Sequence, residues 1–369
     1  MIRSMICWWF LALGLALTSP FASAEDAPAR EIAALGGRCF HSAAGETIGV
    51  DLSNTWVTDA DLGKLARLPQ LQSINLAYTK ITDQGLEHLA PLTHVKTLDL
   101  YYAESVTDQG IAHLKHWRNV EHLNLRGTKV TSTLFEHIAP MTNLRFLDIG
   151  HSRVNDDFFE LLESLDQLEH LSFGGNKMSG AVLPSLKSLP ALKELSVSGQ
   201  QRTDSGLWSV AVTDFNIGHI AQLPQLEVLD LGETSVSDRG IAELTRLKNL
   251  HTLDLRATRV SSKGITALSG LPRLRHLKLW KAKGIDDDAV PVFLRMENLE
   301  VLELPETSIT AKGLAELSAK QNLKQLFIGG IDITPEQAET LRKALPGCLV
   351  SWWKNPTIPS PEPGRRGGN

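Results

Sequence analysis

The sequence predicts an α/β solenoid: a right-handed horseshoe of about twelve 24-residue units, with a parallel sheet on the concave side and helices on the convex side. Two observations carry this. Apolar-headed units begin near positions 47, 71, 95, 120, 144, 168, 192, 226, 250, 274, 299 and 323, a step of 24 residues that is twice 25 and once 34. Each head reads close to L-x-x-L-x-L, as in Leu71-Gln72-Ser73-Ile74-Asn75-Leu76, and a run such as Thr82-Asp83-Gln84-Gly85-Leu86 follows. A fixed period of this size marks a unit that cannot bury its apolar face alone and must stack on its neighbours. A length of 369 residues, 42% of them apolar, would otherwise point to two domains. A stack grows without a boundary, so the period overrides that prior.

Each part of the unit has a physical reason. Alternation at Ile74 and Leu76 marks a short strand with one buried face. Thr79, Thr128, Ser152, Thr234, Thr258 and Thr307 then fall at one corner position, where a hydroxyl can bond a nearby backbone group. The Thr-Asp pair is expected to cap the start of its own helix, and leucines three apart, such as Leu86, Leu89 and Leu92, face the core. Around residues 131–134, 155–158 and 174–176 the pattern weakens. The seventh unit carries ten extra residues, so residues 198–211, with Trp208, are expected to form a projecting loop or short helix. Such insertions map to loops, often at the binding face.

The ends depart from the repeat. Arg3, the apolar run from Ile6 to Leu17 and the small residues Ala22-Ser23-Ala24 predict a signal peptide over residues 1–24. An uncleaved anchor is the alternative, although the run is short for a bilayer and Pro20 follows it. Residues 25–46 are expected to cap the first unit with a helix and an antiparallel strand that covers the sheet edge. Residues 335–353 should form a helix-and-strand cap at the other end, and residues 354–369 a disordered tail. Cys39 and Cys348 flank the repeats. Eleven gaps of about 4.8 Å place them roughly 50 Å apart, too far for a disulfide within one chain.

These residues resemble the cysteine-containing class of leucine-rich repeats, best known from F-box adaptor proteins, with Thr in place of the corner Cys. The closing run Leu341-Arg342-Lys343-Ala344-Leu345-Pro346-Gly347-Cys348 resembles the end-cap of secreted bacterial relatives. The resemblance covers about residues 47–353 and implies protein recognition by a curved surface. The segment before the first repeat is too short for an F-box, so a ubiquitin-adaptor role does not carry over.

Strand alternation places Tyr78, Tyr101, Tyr102, His122, Arg126, Phe146 and His151 on the concave face, with every tyrosine of the protein in one patch. Tyr and Arg combine large area with hydrogen bonding and are favoured at interfaces. Small residues (Gly174, Gly175, Ser196, Ser198, Gly199) separate this patch from a cationic cluster of Arg256, His276, Lys278, Trp280 and Lys281. That second cluster suits an acidic or carbohydrate-like partner, or is a solvated charged face. The column Asp51, Asn75, Asp99, Asn124, Asp148, Asp230 and Asp254 reads as structural rather than catalytic, since Asn interrupts it. No phosphate loop, nucleophile elbow or zinc-spaced motif occurs, so neither cofactor nor metal is expected. The formal charge of −5 gives no reason to expect nucleic acid.

The sequence therefore predicts an exported protein, secreted or periplasmic, that is a non-enzymatic, monomeric scaffold. It has no membrane span after signal cleavage and binds a protein partner on its concave face. The alternatives are a cell-envelope glycan as ligand, a structural envelope protein associating through its ends or free cysteines, and a hydrolytic protein using an Asp/His-lined trough.

Overall fold

The computed structural model describes residues 27–354. The expected signal peptide and all but the first residue of the expected tail lie outside the described residues. The chain opens with a helix, Ala27–Ala34, then β1 (Arg38–His41) and β2 (Thr47–Asp51). One strand per repeat follows: β3 (Ser73–Asn75), β4 (Thr97–Asp99), β5 (His122–Asn124), β6 (Phe146–Asp148), β7 (His170–Ser172) and β8 (Glu194–Ser196). After two short strands in the insertion, β9 (Gln201–Thr203) and β10 (Gly206–Trp208), the series resumes. It continues with β11 (Val228–Asp230), β12 (Thr252–Asp254), β13 (His276–Lys278), β14 (Val301–Glu303), β15 (Gln325–Phe327) and β16 (Leu349–Ser351). Among the described residues fourteen of these form one sheet in chain order, from which β9 and β10 are left out.

Register follows from the apolar head. Ile74 lies against Leu98, Leu98 against Leu123 and Leu123 against Leu147, all in parallel pairs. These residues and their counterparts are 0–6% exposed and make a continuous core between the sheet and the helical layer. β1 runs antiparallel to β2 and covers the first parallel strand's edge. Among the described residues, neither Cys39 nor Cys348 is in a disulfide.

Hydrogen bonds between repeats complete the stack. The corner hydroxyls of Thr79, Thr128, Thr234, Thr258 and Thr307 donate to the carbonyl three residues back, at 2.6–2.7 Å. At the helix starts Thr82 and Thr107 cap as expected, accepting from the N–H two residues on. The paired Asp does something the sequence reading did not foresee. Asp83 reaches the next repeat and accepts both the N–H and the hydroxyl of Thr107, at 2.8 and 2.6 Å. The same rung joins Asp59 to Thr82, Asp108 to Thr131, Asp214 to Ser237, Asp238 to Ser261 and Asp287 to Thr310. On the return side Asn119, Asn143, Asn249 and Asn298 donate side-chain N–H to a carbonyl of the preceding repeat.

The weak middle of the sequence has a structural counterpart. Helices give way to 3₁₀ turns at Phe159–Ser164 and Leu183–Ser188, and Phe158 adopts φ of 56°. Three fully enclosed rings, Phe135, Phe159 and Phe173, pack edge to face at 5.5 and 5.3 Å across this stretch.

The insertion corrects an expectation. Instead of a loop or short helix, β9 and β10 pair as an antiparallel hairpin. Its backbone has no neighbouring repeat to bond, so it satisfies its own polar groups.

Candidate partner-binding face

The open face of the sheet carries columns of side chains, one residue per repeat in each. The middle column is Asp51, Asn75, Asp99, Asn124, Asp148, Ser172, Ser196, Asp230, Asp254, in strand register. Its Asp and Asn members accept the N–H two residues on: Asp99 from Tyr101 at 2.8 Å, Asn124 from Arg126 at 3.1 Å and Asp148 from Gly150 at 2.8 Å. The column therefore ends each strand in a tight turn, and Asp99, Asn124, Asp148 and Asp254 are buried in doing so.

Burial raises Asp99 to about 6, helped by the nearby charge of Asp148. Burial and Asp230 do the same to Asp254, also to about 6. A carboxyl whose pKa is raised on folding favours the fold when protonated, and that contribution is lost as pH rises from about 4 to about 6. Asn75 already makes the same turn with an uncharged side chain, accepting from Ala77 N–H at 3.0 Å. Asp99→Asn should thus stabilise the protein at pH 7 by about 1–3 kcal/mol and flatten the pH dependence of stability between pH 4 and 6. Urea unfolding across that range measures both.

The three tyrosines meet, but all three lie just beyond the strands rather than on them. Tyr78 and Tyr102 occupy the corner that follows each strand, at φ of 58° and 52°. Asn54, His151, Glu233, Ala257, Lys281 and Glu306 share that left-handed corner, so the strain belongs to the repeat and the rings are what is particular here. Tyr78 stacks on Tyr102 with centroids 5.8 Å apart, and Tyr101 stands edge-on to both at 5.2 and 4.8 Å. Burial and a hydrogen bond with Tyr78 push the Tyr101 hydroxyl up to about 12, so it stays a neutral donor and acceptor. Tyr78 is 39% exposed and its two partners are half-buried.

His122, Phe146 and His170 form a second aromatic group, stacked across three strands at 3.9 and 4.2 Å. The Phe146 ring fills the gap between the two histidines. Burial, with the His170 charge adding, pushes His122 down to about 3, so it is neutral. His151 sits at the corner, where an added Cβ on Gly175 or Gly199 would come within 2.8–2.9 Å of its ring. Burial and Arg126 hold it near 4.

The cationic cluster is not a free patch. Arg256 bonds Asp254 and Ser198 and lies 3.5 Å from Asp230. Lys278 is 3.8 Å from Asp254, His276 is 2.8 Å from Glu303, and the Trp280 indole donates to Glu306 at 2.8 Å. Arg256 and Lys278 thus have carboxylates from their own or an adjacent repeat, whereas the Lys281 ammonium lies over the Trp280 ring, 4.8 Å from its centroid. Trp208 is likewise occupied within the hairpin, its indole donating to Ser205 at 3.0 Å. Tyr78, Tyr101, Tyr102, His122, Arg126, Phe146 and His151 thus share one region, whereas Arg256, Lys278 and Trp280 belong to later repeats.

Among the described residues no group of three His, Cys, Asp or Glu is placed to hold a metal ion, and no helix is long and apolar enough to cross a membrane.

The leucine-rich repeat family matches at residues 68–90, one repeat of the chain. No curated protein matches. Among solved structures the chain is similar to an internalin (inlF) of Listeria monocytogenes, with a TM-score of 0.56 at 19% identity, over 87% of this chain and 93% of that one. It also matches a leucine-rich repeat protein of Leptospira interrogans, TM-score 0.44 at 19% identity, over 82% and 89% of the two chains. A third match is the Arabidopsis receptor kinase HAESA ectodomain, solved with an N-terminally extended IDA peptide hormone. Its TM-score is 0.49 at 19% identity, over 87% of this chain and 47% of that one. The fold is that of a leucine-rich repeat solenoid.

Proposed function

We propose that this leucine-rich repeat solenoid is an exported, non-enzymatic scaffold that binds a protein partner through the concave face of its second to sixth repeats. The observation that carries the reading is the tyrosine cluster. Three rings, all the tyrosine the protein has, are packed on one another at a half-open surface where a stack of repeats needs no aromatic residue. Ring–ring contact fixes their rotamers in advance, so a partner meets a rigid surface and loses little entropy in docking. The His122–Phe146–His170 stack extends that surface over the next three strands. Export rests on the charged start, apolar run and small-residue site of residues 1–24.

The test is capture by the purified mature chain from the secreted and envelope fractions, with crosslinking. Tyr101→Ala with Tyr102→Ala should weaken capture of the principal partner at least about tenfold, while Lys312→Ala on the helical side leaves it unchanged. Circular dichroism melts check that the double variant remains folded. Undiminished capture by a folded double variant would remove the tyrosine face from the reading.

A further inference from the structure

The solenoid has two rims beside its sheet, one where the strands enter and one where they leave toward the helices. The entry rim is electrically closed. Lys96 pairs with Glu121 at 3.1 Å, Arg145 and Lys193 hold Glu169 at 2.6 and 2.8 Å, and Lys324 holds Glu300 at 2.8 Å. The exit rim is open. There Lys80, Lys129, Arg153 and Lys177 each precede the buried apolar residue that leads into the helical layer: Ile81, Val130, Val154 and Met178. The N–H groups of Lys129 and Arg153 bond the carbonyls of Val106 and Val130, one repeat back, at 2.8 and 2.9 Å. These cations therefore form a column with one position per repeat. All four are exposed, and among the described residues none of them forms a salt bridge.

Exposed apolar side chains stand on the same rim, each beside a cation of this kind. Trp56 opens the column, 80% exposed, with the Lys80 ammonium 5.0 Å from its ring centroid. Phe215, 87% exposed just before the helix Ile217–Ile220, has the Arg239 guanidinium of the next repeat at 5.6 Å. On the hairpin, Leu207 is 60% exposed and lies directly opposite Arg202. Arg202 and Arg239 are exposed and, among the described residues, also form no salt bridge. The exposed acids along this stretch, Glu104, Asp157 and Asp204, pair with none of these cations. The rung aspartates are half-buried and already bonded. Scattered apolar residues on a surface need no explanation. The same pairing of an apolar tip with an unmatched cation, repeated along one rim, does.

We propose that the exit rim docks the protein flat on an anionic lipid bilayer. Equivalent positions of a regularly curved stack share one height, so the rim is a level surface that meets a flat partner along several repeats at once. Lys80, Lys129, Arg153 and Lys177 lie against the headgroup phosphates. Trp56, Leu207 and Phe215 enter the boundary between headgroups and acyl chains, where an amphipathic or apolar side chain is favoured. The cation beside each tip stays at phosphate level while the tip is buried. The protein as a whole carries a formal charge of −5, so its net charge opposes such binding. Attraction comes from the unmatched cations gathered on this rim, within the screening length of about 8–10 Å. The reading is independent of the tyrosine face and of the partner bound there.

The experiment is flotation of the full mature chain with vesicles of equal parts phosphatidylglycerol and phosphatidylcholine, and with vesicles of phosphatidylcholine alone. The mixed vesicles should carry the protein and the neutral ones should not, and added salt should release it. A cation near an anionic surface is worth about fivefold in partition. Lys129→Gln, Arg153→Gln and Lys177→Gln together should therefore weaken binding at least about thirtyfold. Trp56→Ala with Phe215→Ala should weaken it at least about tenfold. Lys96→Gln, Lys193→Gln and Lys324→Gln, the same charge change on the entry rim, should leave it unchanged. Circular dichroism melts check that each variant is folded. Absence of binding, equal binding to neutral vesicles, or equal losses from the two triple variants would overturn the proposal. So would capture by immobilised dextran sulfate with the vesicles left bare, which would assign the rim to a soluble polyanion.

Discussion

Phe159→Ala should lower the unfolding free energy by about 3–5 kcal/mol and turn one cooperative transition into two. The size follows from burial: Phe159 is 2% exposed and touches two rings that are fully enclosed, so its loss leaves a cavity the neighbours cannot fill. The change in cooperativity follows from where it sits. A solenoid is held by contacts between neighbouring repeats, and cooperativity fails at the weakest junction. Carboxylate rungs bind the repeats through Asp108 and Thr131, and again from Asp214 and Ser237 onward. Between them the rung is reduced to Ser132 with Asn155, then to Asp156 accepting only from the Ser179 N–H. The phenylalanine stack spans this gap and replaces the missing polar coupling. Guanidinium unfolding followed by tryptophan fluorescence reads both sides, with Trp117 buried before the gap and Trp280 after it. A single transition with a shift under about 1 kcal/mol would show that the gap is bridged elsewhere.

The architecture was legible because period, strand alternation and corner hydroxyls all follow from short-range patterning. The Asp rungs were harder to see. An Asp after Thr at a helix start is satisfied by two readings, a local cap or a reach to the next repeat, and propensity alone favours the local one. The distinguishing signal was present in the glycine that follows. Gly85, Gly110, Gly240, Gly264 and Gly313 sit inside helices or 3₁₀ turns, where glycine is a poor choice. Each stands where a Cβ would strike the preceding repeat's Asp oxygen. The tyrosine patch was found because alternation assigns faces, but alternation says nothing about the left-handed corner that carries Tyr78 and Tyr102. The ion pairs of the cationic cluster were not legible, because its basic residues were read without the carboxylates one period further on, Glu303 and Glu306.

The glycine argument yields a second large effect. Gly313→Ala should cost about 2–3 kcal/mol, although alanine is the better helix former by about 1 kcal/mol. A Cβ there would lie 2.1 Å from Asp287 Oδ1 and 2.7 Å from its Cγ, so the rung to Thr310 must break or the helices must separate. Asp287→Ala alone should cost about 1–2 kcal/mol, through loss of the two bonds from Thr310. Together the substitutions should not add. With the carboxylate gone, the nearest of those atoms left to the new methyl is the residue 287 Cβ at 3.3 Å, a contact that small relaxation accommodates. The helix then recovers its propensity gain, and the double variant should be no less stable than Asp287→Ala by itself. A double-mutant cycle in urea measures this directly, with an expected coupling of about 2 kcal/mol. Additive losses would mean that glycine is required by the backbone and not by the rung. The same comparison at Gly264 and Asp238, where the Cβ-to-oxygen distance is 2.2 Å, should give the same sign. The coupling there should be smaller, because the Asp238 Cα at 2.9 Å remains in the way after the carboxylate is removed.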